Sequence, residues 1–155
     1  KSAVCSALGR KFLGYALWVA KGREVKCAVA EKALCNFKAR IRQLTRRSGG
    51  RSIAQVVDRL RPYLLGWKAY FGMAQTPGVW RKLDEWLRHR LRAIQLKHWK
   101  RPSTIYRELK ACGAAESVAR RVAVNSRRWW RNSNRLLKTV LTIAYFDRLG
   151  VPRLS

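Results

Sequence analysis

Between residues 79 and 99 an apolar side chain recurs every three or four positions. Val79, Leu83, Trp86, Leu87, Leu91 and Ile94 form one wide stripe, which predicts an amphipathic helix that must end before Pro102. Two earlier segments repeat the pattern. Leu34, Phe37, Ile41 and Leu44 stripe a helix expected over 31–47, with Glu31 in its first turn, Arg46 and Arg47 in its last, and Ser48-Gly49-Gly50 closing it. Ser52 is placed to cap a second helix, in which Ile53, Val56, Val57, Leu60, Leu64, Trp67 and Phe71 keep the period. Pro62 lies inside that run and should kink or break it near Arg61, and Thr76-Pro77-Gly78 is the next break. Three helices of similar length with short connections predict an antiparallel bundle.

The flanks read differently. Residues 2–8 and 11–20 form two extended runs around Gly9-Arg10. Phe12, Tyr15, Leu17, Trp18 and Val19 favour strand, and Gly14 suggests a bulge or a close backbone approach. A hairpin alone is marginally stable, so this one is expected to complete a larger sheet. After Lys100-Arg101-Pro102-Ser103 come shorter elements: 103–112 before Gly113, 116 to about 124, a loop Arg127-Arg128-Trp129-Trp130-Arg131, and a helix over 135–149. Leu137, Val140, Leu141, Ala144 and Tyr145 would be the core stripe of that last helix, with Gly150 and Pro152 closing it. The fold class is therefore mainly α: a short N-terminal β-hairpin over 1–24, a three-helix bundle over 25–100 and a smaller helical region over 101–155.

Charge narrows the function. The 155 residues hold 35 Lys and Arg against 8 Asp and Glu, a net +27, while 48% are hydrophobic. That much apolar content excludes intrinsic disorder, and that much charge repels itself unless a polyanion lies against it. The three successive segments 1–50, 51–100 and 101–155 carry 12, 11 and 12 basic residues, so the charge decorates the folded elements rather than a tail. Arg outnumbers Lys 23 to 12, which suits phosphate recognition by planar forks. Lys38, Arg42 and Arg46 repeat at helical spacing away from the apolar stripe. Arg81, Arg88, Arg92 and Gln95 line another face of the third helix, with Arg90 and Lys97 beside it. Asp84 and Arg88 are spaced as a surface i, i+4 pair worth about 0.3 kcal/mol.

Other classes fall away. The chargeless run 12–20, closed by Lys11 and Lys21, is far short of a spanning helix and makes a poor signal peptide. Cys5, Cys27, Cys35 and Cys112 contain no C-x-x-C pair, and His89 and His98 do not complete a zinc site; they read as reduced thiols in or near the core. No carboxylate cluster for two-metal chemistry and no Gly-rich phosphate loop is present, so a self-contained active site is not expected. The first residue is Lys1 rather than Met, which reads as a fragment or processed product.

The stretch Arg59-Leu60-Arg61-Pro62-Tyr63-Leu64-Leu65-Gly66-Trp67-Lys68-Ala69-Tyr70-Phe71 resembles the maturase-specific motif of group II intron reverse transcriptase/maturases. The resemblance continues through Leu83-Asp84-Glu85-Trp86-Leu87-Arg88-His89-Arg90-Leu91-Arg92 and Lys97-His98-Trp99-Lys100-Arg101-Pro102. Phe12-Leu13-Gly14-Tyr15 looks like the strand closing their palm, the residues 37–47 like their first thumb helix, and Ala144-Tyr145-Phe146-Asp147-Arg148-Leu149-Gly150 like their usual ending. Leu65 stands where the family often has Arg, and Ala69 where it often has Asn.

The resemblance implies the C-terminal part of such a bacterial protein: the last palm hairpin, the thumb (domain X) and a DNA-binding region. The fingers and palm, with the Y-A-D-D motif and its Mg, lie outside this sequence, so no cofactor is expected here and no polymerase activity from this chain alone. The implied partners are group II intron RNA, the RNA template–DNA primer duplex, target DNA and the fingers and palm of the parent protein, in the bacterial cytoplasm and without a membrane. Expected RNA or DNA contacts are Lys38, Arg42, Arg46, Arg81, Arg88, Arg92, Lys97, Lys100, Arg101, Arg127, Arg128 and Arg131, acting on duplex shape and phosphates more than on base edges. Trp67, Tyr70, Phe71 and Trp86 are expected in the core, with at least one of Trp129 and Trp130, the other being available to stack on a base. The competing functions are a stand-alone RNA-binding protein of ribosomal type and a membrane-surface or antimicrobial protein.

Overall fold

The computed structural model describes residues 10–21, 23–46 and 50–155. The run 2–8, Gly9, Cys5 and the Arg47-Ser48-Gly49 part of the first helix end lie outside the described residues. The first element is an antiparallel sheet of β1 (Lys11–Phe12), β2 (Tyr15–Val19) and β3 (Val25–Val29) in that order. Phe12 pairs with Tyr15 and Val19 with Val25. The third strand was not foreseen. Leu13 and Gly14, with φ of 49° and 83°, form the two-residue turn between β1 and β2, where both central residues must be left-handed. Gly14 is thus a turn residue rather than a bulge. It also makes the expected close approach, since a Cβ there would stand 3.1 Å from the Phe71 ring.

Helix α1 (Glu31–Leu44) buries Phe37 and Ile41 completely. It ends at Leu44 because Thr45 leaves the helical dihedrals (φ −102°, ψ 28°), so that the Arg46 N–H donates to the Gln43 carbonyl three residues back, at 3.3 Å, instead of four. Helix α2 (Ile53–Phe71) opens on a capping box, in which the Gln55 N–H donates to Ser52 Oγ and the Ser52 N–H donates to Gln55 Oε1. Pro62 neither ends nor splits this helix. The carbonyl it leaves without a donor belongs to Asp58, which is exposed and open to water. Helix α3 (Pro77–Trp99) starts with Pro at its first position, where no N–H is needed, and ends before Pro102, which opens α4 (Pro102–Ala111) in the same way.

The core of the bundle joins Phe37 and Ile41 to Val56, Val57, Leu60 and Leu64 of α2 and to Leu83, Leu87 and Leu91 of α3. Each such leucine, removed from water, contributes roughly 2 kcal/mol. An aromatic seam runs from Phe37 to Trp67 (4.2 Å between ring centroids) and on to Phe71 (4.7 Å) and Trp80 (5.2 Å). The sheet docks on the end of this seam through Tyr15, whose ring lies 5.2 Å from that of Phe71. The Tyr70 hydroxyl donates to the Leu13 carbonyl at 2.9 Å, and the Gln75 N–H to the Cys27 carbonyl at 2.8 Å. Phe71 is buried as expected, Trp67 and Trp86 are half-buried, and Tyr70 is exposed at the sheet edge. Cys27 is half-buried, but Cys35 and Cys112 are exposed thiols, not core residues.

Beyond α4 come α5 (Glu116–Val124), α6 (Trp129–Arg135) and α7 (Ile143–Arg148). The segment 127–131, read as a loop, is therefore the entry to a helix. The continuous helix expected over 135–149 is instead interrupted. In an unbroken helix the Tyr145 N–H would donate to the Leu141 carbonyl. Here Arg92 Nε takes that carbonyl at 2.7 Å, and the Tyr145 N–H donates to Thr142 Oγ1, which caps α7. Leu137, Leu141 and Phe146 are fully buried, while Ala144 is exposed rather than part of the stripe. Residues 91–96 of α3 are all buried, six in succession. A run that long leaves no face open, so the bundle covers one side of α3, and α4, α6 and the final residues cover the rest.

Candidate nucleic-acid interface

Which cations are available depends first on the acids. Among the described residues, six of the eight carboxylates form ion pairs: Glu24 with Lys26, Asp84 with Arg88, Glu85 with Lys138, Glu108 with Arg107, Glu116 with Lys110 and Arg120, and Asp147 with Arg88 and Arg153. The hydrogen bond from Lys138 pulls the Glu85 carboxyl below its ordinary range, and the hydrogen bonds from Arg153 and Arg88 do the same for Asp147. Among the described residues, Lys38, Arg42, Arg46, Arg81, Lys97, Lys100, Arg101, Arg127, Arg128 and Arg131 meet no carboxylate.

Two of the expected contacts are not on the surface. Arg88 is 1% exposed and Arg92 is 3% exposed. Arg88 donates to Asp84 at 2.8 Å and to Asp147 at 3.2 Å. Asp84 also accepts from the Leu154 N–H (3.1 Å), the Ser155 N–H (2.9 Å) and the Ser155 hydroxyl (2.8 Å). The presumed surface pair is thus a buried network tying the end of the chain to the middle of α3. Arg92 is committed to the Leu141 carbonyl, and its guanidinium lies 5.8 Å from the Phe146 ring centroid. Burial, with Arg88 alongside, pulls its pKa down to about 10, still charged at neutral pH. Both side chains hold the fold together and neither faces a ligand from where it sits.

The exposed cations gather in two places. On α1 and α3, Arg42 and Arg90 stand over the same Trp86 ring, at 5.6 and 5.4 Å from its centroid. Arg90 Nε donates to Thr45 Oγ1 at 2.8 Å and so fixes the end of α1 against α3. Farther along α3, Lys97, His98 and Lys100 line a cleft of about 470 Å³ with Gly50, Arg51 and Ser52 at the start of α2. From Trp86 to Lys100 is about 21 Å of helix at 1.5 Å per residue, and α3 is enclosed between them at residues 91–96. The positive track is therefore two groups of cations, one at each end of that span, with Arg46 at the end of α1 and Arg101 just beyond α3. Arg81 sits exposed on the first turns of α3.

The second gathering lies between α5 and α6. Arg128 and Arg131 line a cleft of about 320 Å³ together with Arg121, Asn125, Asn132, Arg135 and Leu136; Arg127 does not line it. Trp129 is half-buried against the core, as one of the tryptophan pair was expected to be. Trp130 is 43% exposed and stacks on His89 of α3, with ring centroids 3.8 Å apart. His89 Nε2 donates to the Trp130 carbonyl at 2.9 Å, and burial pushes the imidazole below its ordinary pKa. Reasoning from sequence missed Arg51, Arg121 and Arg135. The i, i+3, i+7 spacing of Arg128, Arg131 and Arg135 was the available signal, hidden by reading 127–131 as a loop.

No helix among the described residues is long and apolar enough to cross a membrane. Comparison with curated proteins returns no significant match. A family model, group II intron, maturase-specific domain, matches residues 34–113, from the first turn of α1 to the glycine that follows α4. That is just over half of the 155 residues, and it takes in the whole Trp86-to-Lys100 track. The chain belongs to the group II intron maturase-specific domain family.

Proposed function

We propose that this chain is the RNA-binding maturase and thumb module of a bacterial, cytoplasmic group II intron reverse transcriptase. It binds intron RNA to assist splicing and grips the RNA template–DNA primer duplex during DNA synthesis. The observation that carries the reading is the coincidence of the family match with the positive track. Within residues 34–113, Lys38, Arg42, Arg46, Arg81, Lys97, Lys100 and Arg101 meet no carboxylate among the described residues, while Asp84 is buried with Arg88 and Glu85 is taken by Lys138. A rigid helical body with unpaired cations reads the phosphates and shape of an A-form duplex. The exposed apolar residues of the sheet and its turn, Phe12 (76% exposed), Leu13 (66%) and Val25 (59%), support a partner surface for the palm of the parent protein. The region 101–155 is the DNA-binding part on this reading. Polymerisation itself requires a Y-A-D-D segment to hold Mg, and that motif does not occur in the 155 residues.

The test is binding of the purified chain to a structured group II intron RNA over a salt series. Contact with six to ten phosphates gives a slope of log K against log salt of roughly −5 to −9. The variant R42Q/K97Q/K100Q should flatten that slope by about 2 to 3, near 0.9 per lost duplex phosphate. A salt-insensitive affinity, or an unchanged slope in that variant, overturns the assignment.

A further inference from the structure

The cleft between α5 and α6 lies outside the family match and has a construction of its own. Arg131 and Arg135, at i and i+4, lie on one face of α6, and Arg128, the residue that precedes its first turn, lines the same cleft. Arg121 and Asn125, at i, i+4, face them from α5. The turn between the two helices is pinned from inside: Asn132, 5% exposed, donates through Nδ2 to the Asn125 carbonyl at 2.9 Å, and the Arg128 N–H donates to the same carbonyl at 2.9 Å. The fold thereby holds four guanidinium groups around one concavity. None meets a carboxylate among the described residues. The nearest acid on α5, Glu116, is held by Arg120 at 3.2 Å and Lys110 at 3.5 Å. Four like charges lining one cleft repel, and an anion entering it relieves that.

The volume, about 320 Å³, selects the anion. It is at the small end of ligand pockets, and a duplex is far too wide to enter. A single nucleotide of an unpaired strand can bring its phosphate to the guanidinium groups, where charge-assisted and bidentate hydrogen bonds form. The arginine stems and Leu136 supply an apolar wall for its sugar or base. We infer that the α5–α6 cleft, with Arg121, Arg128, Arg131 and Arg135, is a phosphate clamp for an unpaired nucleic-acid strand. The inference rests on the reading of the chain as a nucleic-acid-binding module and assigns it a second attachment, separate from the duplex track on α1 and α3.

The experiment uses the whole chain and three probes of one sequence: single-stranded RNA, single-stranded DNA and the blunt RNA–DNA duplex. R121Q/R128Q/R131Q/R135Q is compared with the parent and with R42Q/K97Q/K100Q. The four arginines are exposed and without carboxylate partners, so the cleft variant should melt no lower than the parent. It is expected to weaken single-strand binding by about tenfold or more, with a salt slope shallower by about 0.7 to 1.4 for one or two lost phosphates. Its duplex binding should change by less than about twofold, while the track variant shows the reverse. Loss on both single strands identifies the phosphate as the shared feature. Loss on RNA alone or DNA alone also supports the clamp and names its strand. Unchanged single-strand binding, or equal losses on single strand and duplex, overturns the inference while leaving the duplex track standing. Failure of the parent chain to bind any probe overturns the functional reading as well.

Discussion

The network around Asp84 gives the sharpest test of how this fold is held together. Asp84→Asn keeps the shape of the side chain and removes its charge. Arg88, 1% exposed, would keep only Asp147 as a carboxylate partner. The Leu154 and Ser155 N–H donors, now held by the carboxylate at 3.1 and 2.9 Å, would face a neutral amide. Removing one partner of a buried pair costs about 3–5 kcal/mol, because the other charge is left uncompensated. Asp147 still answers Arg88, which places the expected loss near the lower end, about 3 kcal/mol. For a chain of this size that is a fall in melting temperature of roughly 6–12 °C. Thermal unfolding followed by circular dichroism measures it. Glu108→Gln, which breaks the exposed Arg107–Glu108 pair, serves as the comparison and should cost less than about 0.5 kcal/mol. If Asp84→Asn also loses less than about 1 kcal/mol, the pair behaves as a surface pair and the reasoning from burial is wrong.

Three further outcomes follow from particular residues. Burial holds the His89 pKa below its ordinary value, so folding disfavours the protonated ring; stability is full above about pH 6.5 and declines as the pH falls below it. The slope should not exceed about 1.4 kcal/mol per pH unit for one proton, and His89→Gln, able to keep the donor to the Trp130 carbonyl, should flatten urea midpoints between about pH 5 and 7. Gly14→Ala forces a left-handed φ of 83° on a residue whose Cβ would stand 3.1 Å from the Phe71 ring, and should cost about 1–2 kcal/mol, measured by urea unfolding; a neutral result would mean that the β1–β2 turn re-forms with another geometry. Ser52→Ala removes the Ser52 half of the α2 capping box, and should cost about 1 kcal/mol, with faster amide exchange confined to the first turn of α2.

The three apolar stripes made the bundle legible, since a stripe depends only on spacing along one helix. What was not legible is what arrives from elsewhere in the chain. Arg88 and Arg92 sit among Arg81, Lys97 and other cations at helical spacing, and nothing local says that residues 137–155 will cover their face. Tertiary burial turned two apparent phosphate ligands into the groups that fix Asp147 and the Leu141 carbonyl. The same contact explains the broken helix: Arg92 takes the carbonyl that α7 would have needed to continue backward. Strand β3 escaped notice because Lys26 interrupts an apolar run of only five residues. Its pairing is supplied by β2 rather than by its own pattern. At the candidate interface, the α1 and α3 cations were readable as stripes, whereas Arg121 and Arg135 become neighbours of Arg128 and Arg131 only through the turn pinned by Asn132.

The complete enclosure of residues 91–96 has a consequence for affinity. Because α3 is packed on all sides there, the cation groups that flank the enclosed stretch, at Trp86 and at Lys97 to Lys100, and the cleft between α5 and α6 are fixed on one stiff body. On the function proposed above, a nucleic acid that occupies one of them meets the other at an effective concentration set by geometry, of millimolar order for a short span, without a second diffusional search. Two modest phosphate contacts can then give avidity well beyond either alone, but only for a substrate whose duplex and unpaired strand are spaced as the protein spaces its two surfaces. Selectivity of this kind needs no base reading; it measures the distance between a helix and the strand leaving it.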